Sequence, residues 1–191
     1  RRVLFRSNDA QTRIIAPRLS TVLDQPVVID NRVSNLRSEL GAHAPADGYT
    51  MLIDGNTVWT LPLLQKVPFD PFRDFAPVTT ISREVTILVV TPQLPVKSAK
   101  ELIALAKAKP GTLNWGSGSN GSGSHLAGEL FKTMAGIDIV RISYKGSGPA
   151  LNDVIAGHTQ IMFASSGSAL AQIKAGRVTA LAVGTDKPSA L

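Results

Sequence analysis

The chain contains no cysteine, which excludes disulfides, thiolate metal sites and a cysteine nucleophile. Its three histidines, His43, His125 and His158, stand apart, and none has the His-His or His-carboxylate spacing of a metal site. No metal is therefore expected, and no cofactor is assigned. Aromatic residues make up only 5% of the chain and do not interleave with basic ones, so a nucleic-acid-binding stripe is absent. No apolar run approaches the roughly 18 residues that a membrane-spanning helix needs. Excess charge is also slight: the net charge is +6, and Arg1, Arg2 and Arg6 supply three of those charges. No signal peptide is visible, and because Arg1-Arg-Val-Leu-Phe-Arg-Ser7 is unlike the rest of the sequence, that says nothing about export. Residues 1–7 read as a non-native scar and are set outside the fold.

What is present is enough for a sizeable core: 191 residues, 43% of them hydrophobic, which suits one or two domains. The stretch that organises them is Thr112-Leu-Asn-Trp-Gly-Ser-Gly-Ser-Asn-Gly-Ser-Gly-Ser-His-Leu126. A short apolar strand enters a run of glycines, serines and one asparagine. The chain then turns helical, with Leu126, Leu130 and Met134 at i, i+4 spacing beside Ala127 and Phe131. The loop itself holds no charged side chain, so it can grip a ligand only through N–H groups, hydroxyls and the positive end of the helix dipole. That suits a carboxylate or a phosphate. The same composition also describes a flexible linker, but both flanks read as one continuous α/β unit.

Upstream, Asp9–Leu23 reads as an amphipathic helix with Asn8 or Asp9 as N-cap, Ile15, Leu19 and Val22 on one face and a possible kink at Pro17. Pro26–Asp30 and Tyr49–Ile53 read as strands, and Glu39–Ala44 as a short helix. Prolines 62, 68, 71 and 77 exclude a helix from the stretch they punctuate. They leave a connecting loop in which Phe69, Phe72 and Phe75 anchor 67–75 to the core, with an aromatic binding patch as the other reading. Val85–Thr91 is the clearest strand, β-branched and stopped by Pro92.

The alternation then becomes regular. Ser98–Ala108 is a helix with a Ser98/Glu101 capping box. After the central loop come strands at Asp138–Ser143, Thr159–Ala164 and Val178–Gly184, and helices at Ala150–Ala156 and Ala169–Ala175. Repeated strand-loop-helix order implies a mainly parallel sheet with helices on both faces. The loops at 116–124, 144–149 and 165–168 all follow strands and precede helices. They therefore share the carboxyl edge, where open α/β sheets bind ligands. The candidate ligand-binding residues on this rim are Ser117, Gly118, Ser119, Asn120, Gly121, Ser122, Gly123, Ser124, His125, Tyr144, Lys145, Gly146 and Ser165.

Two enzymatic readings compete. Gly116–Gly121 matches G-x-G-x-x-G after a strand, so a nucleotide-dependent α/β enzyme is the alternative function. However, Ser122-Gly-Ser124 still intervenes before the helix, and the end of the next strand, Ile142-Ser143, lacks the acidic residue a ribose needs. A hydrolase would draw on Ser122 or Ser124, His125 and Asp153. Ser124 and His125 are adjacent at a helix start, so their side chains diverge, and no catalytic residue is assigned.

The segments Asp30-Asn-Arg32, Ala44-Pro-Ala-Asp-Gly-Tyr-Thr50, Pro68-Phe-Asp-Pro71, Asp74-Phe-Ala-Pro-Val78, Glu101–Lys107 with Pro110-Gly111, His125–Phe131, Tyr144-Lys-Gly146 and Ala180-Leu-Ala-Val183 occur in that order. Together they resemble the tripartite tricarboxylate transporter receptors, or Bug receptors, over almost all of 9–185. The resemblance implies a periplasmic-binding-protein-like (type II) α/β fold with two Rossmann-like lobes. Lobe one would be 8–91, truncated because a C-terminal part is missing. Lobe two would be 92–183, with 184–191 starting the return to lobe one. The chain would cross between lobes through Val85–Thr91 and Val178–Gly184, and the uncovered first lobe would leave apolar surface exposed. The resemblance further implies a periplasmic, monomeric, non-enzymatic receptor that delivers a small carboxylated solute to membrane permease subunits. The carboxylate would be held between the Gly/Ser loop and the first strand-helix turn, here Asn8 and Asp9. The family's Pro-Gly-Gly-type turn is replaced by Leu4-Phe-Arg-Ser7, and its glycine-rich loop after Asn31-Arg32 by Val33–Leu40. A sensor lobe of similar architecture has the same sequence signature.

Overall fold

The computed structural model describes residues 2–5, 9–32, 36–83 and 85–185, in two compact units, Arg1–Thr79 and Thr80–Leu191. In the first unit, strands β1 (Arg2–Phe5), β2 (Val28–Asn31) and β3 (Thr50–Leu52) form a parallel sheet in the order β2-β1-β3. Helix α1 (Asp9–Leu23) links β1 to β2, α2 (Leu36–Ala42) links β2 to β3, and α3 (Thr57–Leu64) follows β3. Parallel neighbours need such crossovers, and the reversal of order about β1 makes a topological switch point. Val3 pairs with both Ile29 and Met51, which corrects the reading that set residues 1–7 outside the fold: Arg2–Phe5 is the middle strand.

Three further expectations for this unit are corrected. Helix α1 continues through Pro17 and buries Thr12 and Ala16, while Val22 is left 80% exposed. Thr57–Leu64 is helical although it contains Pro62. The ring removes one late hydrogen bond, and the helix ends soon afterwards at Gln65, whose N–H donates to the Leu61 carbonyl. The 67–75 segment is non-helical as read, with Phe69 buried and edge-on to Phe75 at 6.0 Å. Phe72, however, is 84% exposed and makes its ring contact with Trp59 at 5.4 Å. Ile14 and Leu63 also stand exposed.

The second unit is built on β4 (Thr86–Val90), β5 (Asn114–Ser117), β6 (Val140–Ser143), β7 (Ile161–Ser165) and β8 (Thr179–Val183), in the order β6-β5-β7-β4-β8. The expectation of a mainly parallel sheet holds for β6, β5 and β7. Strand β4 is the exception, pairing antiparallel with both β7 and β8. It lies in this unit, which begins at Thr80.

Period-two alternation sends Leu88, Val90, Ile161 and Phe163 to one face and Ile87, Val89, Met162 and Ala164 to the other. The first face is covered by α4 (Ala99–Ala108) through Leu102 and Ala106 and by α5 (Gly123–Ala135) through Ala127 and Phe131. The second is covered by α6 (Ser147–Ala156) and α7 (Ser166–Lys174) through Ala150, Leu151, Val154 and Ala169. The Leu126, Leu130 and Met134 stripe is not the buried one. Leu130 and Met134 are 60% and 78% exposed, and α5 turns Ser124 and Gly128 to the core. The cause is Trp115, whose fully buried indole occupies the space under the helix and leaves room there only for small residues.

Helix α4 shows the Ser98 half of the expected capping box, Glu101 N–H donating to Ser98 Oγ at 3.2 Å, while Glu101 Oε2 accepts at 2.8 Å from the N–H of Lys97, one residue before the cap.

Candidate functional site

Strands β5, β6 and β7 are parallel, and Ser117 stands opposite Ser143 in register. The three small-residue loops therefore leave the same sheet edge, each ending in a helix N-terminus whose N-cap position is Ser122, Gly146 or Ser165; of these only Ser122 caps through its side chain. These ends gather partial positive charge and first-turn N–H groups that have no intrahelical acceptor.

The central loop is tightly bonded within itself. Ser122 caps α5, accepting from His125 N–H at 3.3 Å, and shares a hydrogen bond with Ser124 Oγ at 3.1 Å. Gly118 N–H donates to Ser124 Oγ at 3.0 Å, Gly121 N–H to His125 Nδ1 at 3.1 Å and Ser122 N–H to the Ser119 carbonyl at 3.1 Å. Gly121 adopts φ +72°, a left-handed turn that suits glycine. The amides of Gly118, Gly121 and Ser122 are thus engaged inside the loop. This narrows the expectation that its backbone as a whole faces a ligand. Gly123 opens the helix in an exposed position, and Asn120 is exposed at the tip.

The sequence reading missed Arg141. From β6 it donates through Nε to Ser117 Oγ at 2.7 Å, through Nη1 to Asn120 Oδ1 at 2.8 Å, and through Nη2 to the Gly118 carbonyl at 3.2 Å and Ser143 Oγ at 3.4 Å. Ser117 is fully buried. The loop has no charge of its own, yet a guanidinium lies behind it. The visible signal was an arginine inside the otherwise apolar stretch Ile139–Ile142. Only the β5–β6 pairing reveals that it reaches the loop.

His125 stacks on Trp115, with ring centroids 6.4 Å apart and planes 15° apart, and its Nε2 lies 3.8 Å from Glu129 Oε1. Its pKa is lowered, first by burial and then by the Arg141 charge, with Glu129 opposing. The neutral ring this favours is the form that can accept from Gly121 N–H. Burial likewise lowers the Arg141 pKa.

On the second loop, Tyr144 N–H donates to the Ser117 carbonyl at 2.9 Å and its hydroxyl to Asp153 Oδ2 at 2.6 Å. Burial and the Asp153 carboxylate push the phenol pKa up to about 12, and the same hydrogen bond lowers that of Asp153. Lys145 is exposed. On the third loop, Ser165 Oγ lies 3.1 Å from Ser168 Oγ. Asn8 lies outside the described residues, and Asp9 is the first residue of α1.

The enzymatic alternatives fare poorly on this geometry. Ser124 and His125 bond to different loop amides, and Asp153 is engaged by Tyr144 and, at 3.4 Å, by His158. The serine, histidine and aspartate of a triad are not brought together. Gly116, the first glycine of the nucleotide-like pattern, is buried within β5 rather than in the turn.

In the first unit, the buried Arg37 grips Asp54 in a fork, Nε–Oδ2 at 2.9 Å and Nη2–Oδ1 at 2.7 Å. Ser38 Oγ and Gly55 N–H add bonds of 2.9 and 2.7 Å to the same carboxylate. This ties the start of α2 to the segment leaving β3.

A mixed α/β unit with three helix N-termini on one sheet edge, in the same chain as a β2-β1-β3 Rossmann-like unit, defines the periplasmic-binding-protein-like class of type II. Within that class the chain belongs to the tripartite tricarboxylate transporter family receptors, whose family model (TctC) matches residues 11–191. It is 35% identical over 179 residues to the UPF0065 protein of the tcbD-tcbE intergenic region of Pseudomonas sp. strain P51, covering 92% of this chain and 53% of the relative. It is 34% identical over 183 residues to protein BugT of Bordetella pertussis, covering 93% and 56%. Among solved structures, R. palustris Rpa4515 with adipate superposes with a TM-score of 0.92 at 37% identity, over 97% of this chain and 67% of that one. The periplasmic binding protein BugD has the same fold, with a TM-score of 0.86 at 24% identity over 98% and 66%. The chain spans about half the length of the curated relatives it matches. No helix of the described residues is long and apolar enough to cross a membrane.

Proposed function

We propose that the protein is a periplasmic, non-enzymatic receptor that captures a small carboxylate between two lobes and delivers it, as a monomer, to membrane permease subunits. The observation that carries this reading is the cluster of three helix N-termini and an arginine-backed Gly/Ser loop on one sheet edge. Family membership and the likeness to an adipate-bound relative support it. The binding residues would be Ser119, Asn120, Gly123 and Ser124 at the centre and Tyr144, Lys145, Gly146 and Ser165 on the flanking loops, with Asn8 and Asp9 from the first lobe. Hydrogen bonds to a charged group contribute about 1.5–3 kcal/mol each. Two or three of them give an affinity that still allows release.

A thermal-shift screen of mono-, di- and tricarboxylates, amino acids and aromatic acids on the intact protein tests the proposal. A ligand at a hundred times its Kd stabilises by about 2.7 kcal/mol, a readily measured rise in Tm. No rise with any acid, or a rise with nicotinamide or flavin nucleotides instead, would overturn it.

A further inference from the structure

We infer that Arg141 is the positioning residue that makes the central loop selective for an anion, by drawing oxygen acceptors in and beside the loop to itself and leaving the Asn120 NH2 and the unengaged amides at the start of α5 as donors for the ligand. The inference rests on the carboxylate-receptor reading and adds a residue to it.

A guanidinium carries five N–H donors and no acceptor, so every group facing it must present a lone pair. Arg141 collects four: Ser117 Oγ, the Gly118 carbonyl, Asn120 Oδ1 and Ser143 Oγ. Each is a partial negative charge in or beside the loop that the guanidinium offsets, so that it repels a bound carboxylate less. The effect is clearest at Asn120, whose amide has one accepting and one donating end. Because Arg141 Nη1 takes the oxygen at 2.8 Å, the NH2 group is turned away from the guanidinium and is left as a pure donor on the exposed tip of the loop. The Ser117 hydroxyl is fixed in the same way: it accepts from Nε and sends its own proton to the Gly118 carbonyl at 3.2 Å.

The guanidinium keeps its positive charge available to the loop. Among the described residues no carboxylate lies within ion-pair distance of it, and the nearest influence, Glu129 on α5, acts through space. Shared with an acid partner, the charge would be cancelled. Here it adds to the positive end of α5. A lysine in its place would keep the charge but not the planar fork that holds several acceptors at once.

The test uses the intact protein and straight-chain C4 to C6 dicarboxylates, each paired with its diamide, in titration calorimetry. The diamide has the same length and no charge. Wild type is expected to prefer acid over amide strongly. R141Q is expected to lose at least tenfold in acid affinity with little change for the amide, so that the preference collapses, and R141K should restore part of it. N120D supplies a variant that does not depend on tolerating the loss of Arg141. It keeps an oxygen facing the guanidinium but replaces the outward NH2 with a second oxygen and a negative charge, and should lose acid affinity at a Tm no lower than that of wild type. If wild type binds none of the acids, the receptor reading fails. If wild type binds them and R141Q and N120D keep the acid-to-amide ratio, the positioning role of Arg141 is overturned and the receptor reading stands.

Discussion

Trp115 and Gly128 are in contact because one of them has no side chain. A Cβ added at Gly128 would overlap the indole and stand 2.7 Å from Trp115 Cε3. The indole is fully buried between α5 and β7, edge-on to Phe163 at 6.3 Å, and cannot move aside without displacing His125, which stacks on it. Trp115 thereby sets the height of α5, and so of the loop that caps it. Gly128→Ala should behave as an overpacked core, costing about 1–3 kcal/mol, read as a lower urea midpoint. Unlike an ordinary Gly→Ala change in a helix, it should not stabilise.

His125 gives the loop a dependence on pH. In its folded setting the imidazole has a lowered pKa, so it resists protonation more than in the unfolded chain, where its value is near 6.5. The unfolded state then binds more protons, and stability rises with pH. The contribution is complete above about 6.5 and is lost as pH falls below it toward the folded pKa. Protonated Nδ1 can no longer accept from Gly121 N–H. The Arg141 charge on β6 works against protonation and Glu129 on α5 works for it. Thermal unfolding from pH 8 to pH 5 should show this fall, and His125→Asn, which keeps an acceptor near Nδ1 but cannot titrate, should flatten it.

The Arg37–Asp54 pair is buried on both sides, with side-chain exposures of 7% and 4%. Asp54→Ala strands a charged guanidinium and should cost about 3–5 kcal/mol. The double change Arg37→Met with Asp54→Leu removes both charges and should recover most of that loss in chemical denaturation.

Two serine caps should separate stability from binding. Ser98→Ala removes the acceptor for Glu101 N–H on α4, and Ser122→Ala removes the one for His125 N–H on α5. Each should cost about 1 kcal/mol of stability. Only Ser122→Ala should also weaken carboxylate binding in calorimetry, because it loosens the Ser122–Ser124 hydroxyl pair beside the loop.

Local signals carried much of this architecture. The β-branched run around Thr86–Val90, the Ser98/Glu101 box and the glycine stops at Gly136 and Gly157, both left-handed, depend on neighbours a few residues apart. The shared edge of the three loops followed from strand-helix order alone. What could not be read depends on partners distant in sequence. The antiparallel setting of β4 is decided by β7 and β8, whose paired residues lie 71 to 96 positions later. The exposed Leu130 and Met134 face of α5 follows from the bulk of Trp115, which periodicity does not register. Arg141 looked like one charge in an apolar strand until pairing with β5 placed it 2.7 Å from Ser117. At the other end, Arg2–Phe5 looked foreign by composition, yet it holds the middle of the first sheet through main-chain bonds that composition does not govern.

The central claim, that the loop heading α5 receives a carboxylate, is tested most directly by a 15N-1H correlation spectrum of the intact protein titrated with a straight-chain dicarboxylate that stabilises it. The account predicts saturable shifts concentrated at the Ser119, Asn120, Gly123 and Ser124 amides and the Asn120 side-chain NH2. Saturable shifts confined to other regions, with these resonances unmoved, would contradict it.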